Sequence, residues 1–138
     1  MTHTFTLEVA TPEKLLLHEH VQEAQIPAAQ GYIGVLPGHS PLLGELGIGR
    51  LTYKKADGQT HDLVVTGGYL EVGDGHVRVL ASRAEAVNEI DLARAEAALR
   101  RASERLLHPD DALDVARALN AQKRAAARVE AAKRQSGS

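Results

Sequence analysis

The sequence predicts a two-part protein: an all-β sandwich or barrel over residues 1–87, followed by an antiparallel α-helical hairpin over residues 88–138. Three observations predict it. Up to about Asn88, apolar residues alternate with period two in short runs broken by Gly, Asp and Pro. Beyond Asn88 they recur at three- and four-residue steps, the period of a helix with one apolar face. Charge divides at the same place: residues 1–87 hold six Lys and Arg against ten Asp and Glu, and residues 88–138 hold ten against eight, which suits the parts to different partners.

The first strand is "TFTLEVA", where Phe5, Leu7 and Val9 alternate with polar residues. "KLLLHEHVQEAQIPA" continues in short extended pieces; "GRLTYKK", "HDLVVTGGYLEV" and "HVRVLAS" complete the series. Asp57-Gly58 and Asp74-Gly75 supply the positive φ of tight hairpin turns between the later strands. Many short strands with closely spaced turns predict a sandwich or barrel.

Residues 31–51, "GYIGVLPGHSPLLGELGIGRL", combine turn chemistry with apolar bulk. Gly31, Gly34 and Gly38 allow sharp turns, and Pro37 and Pro41 stiffen a loop. Most of Leu36, Leu42, Leu43, Leu46 and Ile48 are expected in the core, with some standing out on the loop.

In the helical part, Leu92, Ala95, Leu99, Ala102 and Leu106 form the apolar stripe of a first helix that Pro109 ends. Asp110 or Asp111 is expected to cap a second helix, whose thinner stripe is Val115, Leu119, Ala126 and Val129, and "QSGS" reads as a frayed tail. A stripe this rich in alanine buries little apolar area, so the hairpin reads as an element able to detach without unfolding the β part.

Several function classes are disfavoured. With no cysteine there is neither a disulfide nor a thiolate site. His18 and His20 share a strand face but lack a third ligand at suitable spacing, so no metal is expected. His39, Ser40 and Glu45 are close in sequence, yet nothing orients the histidine as a triad requires, and there is no G-x-x-x-x-G-K-[ST] phosphate loop. The basic helices contain no aromatic residue for base stacking, so no nucleic-acid partner is expected. No apolar run has the length of a membrane span and the N-terminus does not read as a signal peptide, so a soluble chain without membrane insertion is expected.

The order of parts resembles the epsilon subunit of the F-type ATP synthase, bacterial type, over nearly the whole chain. "GYIGVLPGHSPLLGELGIGRL" is similar to that family's central signature, "VTGGYLEV" to its second, and "EIDLARAEAALRRASERLL" to the start of its C-terminal hairpin. The resemblance implies a non-catalytic central-stalk subunit of the proton-translocating enzyme, on the cytoplasmic side of the plasma membrane. Its β domain would bind the gamma subunit and the c-subunit ring, with Gly38, His39, Ser40, Pro41 and Leu42 as contact candidates. A lone histidine such as His39 is more often simply hydrogen-bonded in place.

The resemblance extends to a regulatory ATP site without hydrolysis. The I-D-x-x-R-A element is Ile90, Asp91, Arg94 and Ala95; the family's upstream acid corresponds to Glu85 and its basic pair to Arg124 and Arg128. Arg124 and Arg128, four apart, leave the same helix face and suit phosphate oxygens. Read without the family, Asp91 is a helix cap and the arginines a solvated face. The family also implies that the raised hairpin contacts the beta and alpha subunits and obstructs ATP hydrolysis, with Arg100, Arg101, Arg105, Arg117, Lys123 and Arg134 as candidates for that contact. The alternative is a β-plus-helix adaptor module of another complex, without nucleotide binding.

Overall fold

Phe5, Leu7 and Val9 are buried and Thr6, Glu8 and Ala10 face outward, so the alternation of the first run becomes β1 (Phe5–Ala10). The computed structural model describes residues 3–110 and 112–136. It divides into two units, Met1–Glu85 and Ala86–Ser138. In the first unit β1 is followed by β2 (Leu15–Ala28), β3 (Gly31–Val35), β4 (Leu42–Lys55), β5 (Thr60–Gly73) and β6 (His76–Ala86).

The sheet order is β1-β6-β5-β4-β2-β3, and β1 also pairs with β2. That extra pairing closes a ring of β1, β6, β5, β4 and β2, leaving β3 on the edge. Strands β1 and β6 run parallel, Leu7 opposite Val77 and Val9 opposite Val79; these four residues are buried in the core. Val21, Ile26, Leu51, Val65 and Leu70 are also in the core.

Strand β2 is one continuous element, not the short pieces its sequence suggested. Its first half pairs with β1 and its second half with β3 and β4, and the register shifts between Val21 and Glu23 and between Gln25 and Ala28. Such irregularities interrupt the alternation along the chain while the strand continues.

The two Asp-Gly turns form as expected, with Gly58 at φ +90° and Gly75 at +74°. Asp57 Oδ1 accepts from the Gln59 amide at 2.9 Å. Gly68 is more constrained than either. Its φ is +120°, and an added Cβ would collide with the Leu80 carbonyl of the neighbouring strand.

Residues 31–51 are mostly strand. Only Leu36–Pro41 is loop, and β4 runs straight through Gly44, Gly47 and Gly49. The expected burial of the leucines is corrected accordingly: Leu46 is buried and Ile48 half-buried, but Leu36, Leu42 and Leu43 are exposed. Gly34 makes no turn; it lies within β3, where an added Cβ would sit 3.0 Å from the Gln25 amide nitrogen.

The second unit opens with a short 3-10 turn, Val87–Glu89, followed by α1 (Leu92–Leu107) and α2 (Val115–Ser136). Ala95 and Ala102 are buried and Leu92, Leu99 and Leu106 half-buried, as the first stripe predicts. The second stripe is corrected in part: Val129 is buried as expected, but Val115, Leu119 and Ala126 are exposed, and Ala118 and Ala125 are buried in their place. Small alanines let the helices approach closely, and the bulkier Val115 and Leu119 are turned outward.

The cap of α2 is also corrected. Asp114 Oδ1 accepts from the Arg117 amide at 3.0 Å, whereas Asp110 Oδ1 accepts from the Ala112 amide in the preceding turn. The alternative cap, Asp111, lies outside the described residues. So do Gly137 and Ser138 of the tail expected to fray, while Gln135 and Ser136 end α2.

Candidate functional site

In the first unit, two features present themselves. One is the loop Leu36–Pro41 between β3 and β4. Gly38 sits at φ +85°, and the His39 amide donates to the Leu36 carbonyl at 3.1 Å. The His39 Nδ1 donates to the Ser40 carbonyl oxygen at 2.6 Å, so the ring is tied to the backbone and not to the Ser40 hydroxyl. Leu36 is exposed, as are Gly38, Ser40, Pro41 and Leu42. An open groove of about 640 Å³ borders the loop, lined by Leu36, Pro37, Gly38, His3, Glu23 and Lys54 among others.

The other feature is the outward face of the sheet, which sequence reading missed. Across β1, Ala10 lies opposite Leu80 of β6 and Leu15 of β2; Tyr69 of β5 lies opposite Glu45 of β4. The two-residue turn at Asp74-Gly75 places Gly73 beside His76 and therefore Tyr69 beside Leu80. Leu15, Tyr69 and Leu80 are 60%, 66% and 54% exposed, which makes this an apolar row on the outside of the barrel. The signal was in the alternation: Tyr69 and Leu80 are apolar at positions whose neighbours, Leu70, Val79 and Ala81, already fill the core.

Beside this row runs a charged one. Glu8 lies between His18 and Arg78 in the register; its Oε1 is 3.6 Å from His18 Nε2 and its Oε2 accepts from Arg78 Nε at 3.1 Å. His76 Nε2 donates to Glu71 Oε1 at 2.9 Å. That hydrogen bond, helped by the charges of Arg78 and His76, holds the Glu71 carboxyl below its ordinary range. Leu43, opposite Glu71 and 78% exposed, adds apolar surface to the same row. Farther along β4, burial pushes the Tyr53 phenol up, with Glu19 and Asp62 adding to the effect.

In the second unit, Asp91 is the N-cap of α1, its Oδ1 accepting from the Arg94 amide at 3.2 Å. Ala95, one turn on, is fully buried. Helical phase puts Arg94, Arg101 and Arg105 on one flank of the α1 seam, each just before a seam residue. Arg117, Arg124 and Arg128 precede seam residues of α2 in the same way. Because the two helices run antiparallel, both flanks open on one side of the hairpin. Arg94, Arg101, Arg105 and Arg117 are exposed, and Arg124 and Arg128 half-buried. Arg100, Lys123 and Arg134 are exposed as well. Glu85 belongs to the first unit and Ile90 to the second. Among the described residues, no helix is long and apolar enough to cross a membrane.

An outward apolar row, an exposed loop and a basic-flanked hairpin define a subunit-type protein, one that works through surfaces offered to partners. Comparison with known proteins assigns it more narrowly. The family description "ATP synthase, Delta/Epsilon chain, beta-sandwich domain" matches residues 4–87, and "ATP synthase, Delta/Epsilon chain, long alpha-helix domain" matches residues 88–133. The chain belongs to the ATP synthase delta/epsilon-chain family.

It is 56% identical over 129 residues to the ATP synthase epsilon chain of Solibacter usitatus, covering 94% of this chain and 96% of that one. It is 46% identical over 129 residues to the epsilon chain of Nitratidesulfovibrio vulgaris strain DP4, with the same coverage. Among solved structures it is similar to a chain of the Euglena gracilis mitochondrial ATP synthase (OSCP, F1 and c-ring), at TM-score 0.83 and 27% identity, over 94% of this chain and 81% of that one.

Proposed function

We propose that this chain is the epsilon-type rotor subunit of a bacterial ATP synthase, coupling proton translocation to ATP synthesis without an active site of its own. The observation that carries the reading is the match of both units, in order, to the two domains of one family. In this role the β unit docks on the gamma subunit and the c-subunit ring at the cytoplasmic face of the membrane. The row of Tyr69, Leu80 and Leu15 supplies apolar area for a partner to cover, and the loop at Gly38–Leu42 supplies a second contact. The charged row of His18, Glu8, Arg78 and Glu71 fixes orientation more than affinity.

The hairpin is the regulatory part. Its alanine seam makes it easy to displace, and its basic flank suits acidic segments of the beta and alpha subunits, where contact by residues such as Arg100, Arg101, Arg105, Arg117, Lys123 and Arg134 obstructs hydrolysis. ATP binds the folded hairpin through Arg94, Arg124 and Arg128, with Asp91 and Ala95 at the start of α1. Nucleotide with a preference for that state shifts the balance toward it. The phosphate clamp is electrostatic, since the four-residue spacing of Arg124 and Arg128 sends both guanidinium groups off one helix face.

Two experiments test these parts separately. Leu80→Glu and Tyr69→Glu each place a charge in the docking row; loss of co-purification with gamma, with the fold intact by circular dichroism, is expected. Undiminished co-purification of both variants rejects that row as the gamma surface. Calorimetric titration of the chain with ATP, with and without magnesium, is expected to show saturable binding that Arg124→Ala with Arg128→Ala removes. Absence of binding up to millimolar ATP rejects the nucleotide site and leaves the rotor assignment in place.

A further inference from the structure

The same dipeptide occurs twice in the same kind of turn: Asp57-Gly58 lies between β4 and β5, and Asp74-Gly75 between β5 and β6. Aspartate followed by glycine is the pairing most open to spontaneous backbone rearrangement, because glycine has no side chain to shield its amide nitrogen from the preceding carboxyl group. In composition the two turns are equivalent. Their hydrogen bonding separates them.

At Asp57-Gly58 both groups that would react are tied. The Gly58 amide donates to the Lys55 carbonyl at 2.9 Å, and Asp57 Oδ1 accepts from the Gln59 amide at 2.9 Å. The Lys55 amide donates to the Gln59 carbonyl at 2.8 Å and closes the turn. Asp74-Gly75 has neither restraint. Both residues are exposed, and among the described residues none accepts from the Gly75 amide or donates to the Asp74 carboxylate. What anchors this turn is the Gly75 carbonyl, which accepts from the Thr6 amide at 3.0 Å and leaves the Gly75 nitrogen available.

We propose that Asp74-Gly75 is a site of spontaneous isoaspartate formation. The Gly75 nitrogen attacks Asp74 Cγ in its carboxylic acid form; an N–Cγ bond forms, and the carboxyl hydroxyl leaves with the amide proton as water. The product is a cyclic succinimide. Water then adds back by one of two routes. Cleavage of the new N–Cγ bond restores aspartate; cleavage of the original peptide bond leaves the main chain running through Cβ and Cγ, with the former main-chain carbonyl carbon as a free carboxylate. The water lost in the first step is regained in the second, so no oxidant or other reagent enters. The lengthened backbone moves the Gly75 carbonyl off the Thr6 amide, at the point where the parallel pairing of β1 with β6 begins. The modification therefore acts on the closure of the β ring.

Prolonged warm incubation of the full chain at neutral pH, followed by peptide mapping with electron-transfer fragmentation, measures isoaspartate at each turn. Asp57-Gly58 is the internal reference, since it has the same dipeptide. Reaction there must first release roughly 1.4 kcal/mol of hydrogen bonding, so about tenfold more isoaspartate is expected at Asp74 than at Asp57 in the folded chain. In guanidinium chloride, where neither turn persists, the two rates should converge. Hydrogen exchange of the Thr6 amide should be faster in the isoaspartate fraction. Equal accumulation at the two turns of the folded chain, or an excess at Asp57, overturns the proposal. An excess at Asp74 that is undiminished in guanidinium chloride also overturns it, because the cause would then be sequence and not hydrogen bonding. Unchanged exchange at Thr6 overturns the effect on the β1–β6 pairing.

Discussion

The Tyr32 hydroxyl accepts a hydrogen bond from the Arg50 amide at 3.0 Å, clamping the edge strand β3 over β4. The clamp needs Gly49. A Cβ there would lie 2.5 Å from Tyr32 Oη and 3.0 Å from Pro27 Cβ. Gly49 is thus a space requirement within a strand, and "GIGRL" has its glycine so that a tyrosine ring can lie across it.

Gly49→Ala should displace Tyr32 and cost about 1–3 kcal/mol, as overpacking does. Tyr32→Ala combined with Gly49→Ala should cost less than the sum of the two single changes, since one relieves the other. Urea unfolding of the three variants checks this; strict additivity would mean that the tyrosine does not occupy the glycine's space.

Gly68→Ala should be worse. It combines a left-handed φ with a backbone carbonyl that cannot swing aside, and a loss of at least about 2 kcal/mol is expected from such strain. The urea midpoint measures it, and a change within about 0.5 kcal/mol, the range of ordinary surface substitutions, would contradict the close approach of β5 and β6.

Asp91→Ala removes the side-chain acceptor for the Arg94 amide and should cost α1 about 1 kcal/mol. Hydrogen exchange localises the effect: amides in the first turn of α1 should exchange faster, while β-strand amides keep their protection. Asp91→Asn, which keeps an oxygen for the cap, should restore most of that protection. ATP titration of the same Asn variant separates capping from any contact with nucleotide.

Glu71 gives a pH dependence of known sign. Its carboxyl is held below the ordinary value of 4.5 chiefly by the hydrogen bond from His76, so the folded state binds that proton less readily than the unfolded chain. The resulting stability is fully present above about pH 4.5 and is lost as pH falls through the lowered value. Glu71→Gln should therefore make acid unfolding less steep below pH 4.5; an unchanged acid limb would show that the His76 pairing does not persist in solution.

The alternation of Phe5, Leu7 and Val9 made β1 legible in the sequence, as Asp-Gly did the hairpin turns and Leu92 to Leu106 the first helix. Glycine was harder to read. Its presence does not say whether it serves backbone conformation or space: Gly31 and Gly38 adopt positive φ, but Gly47 and Gly49 lie in β4 because Ala28 and Tyr32 crowd them. Reading Gly34 as a turn residue overstates the loop, and expecting most of Leu36, Leu42, Leu43, Leu46 and Ile48 in the core overstates their burial, since only Leu46 is fully buried.

The second helix concealed its seam for a different reason. With alanine at 116, 118, 121, 125, 126, 127, 131 and 132, most directions around α2 offer a small apolar face, and no periodicity singles out the buried one. Gln122, which lies in the contact, reads as polar surface. The outward apolar row was hidden because Tyr69 and Leu80 belong to strands buried on their other side, and only the registers show that they meet Ala10 and Leu15 on one face.

The most direct test of the regulatory account is ATP hydrolysis by the assembled synthase with this chain whole or ending at Asn88. Release of inhibition, seen as faster hydrolysis with the shortened chain at equal incorporation into the complex, is the predicted result. Equal rates would contradict it, leaving a rotor subunit whose hairpin does not restrain the enzyme.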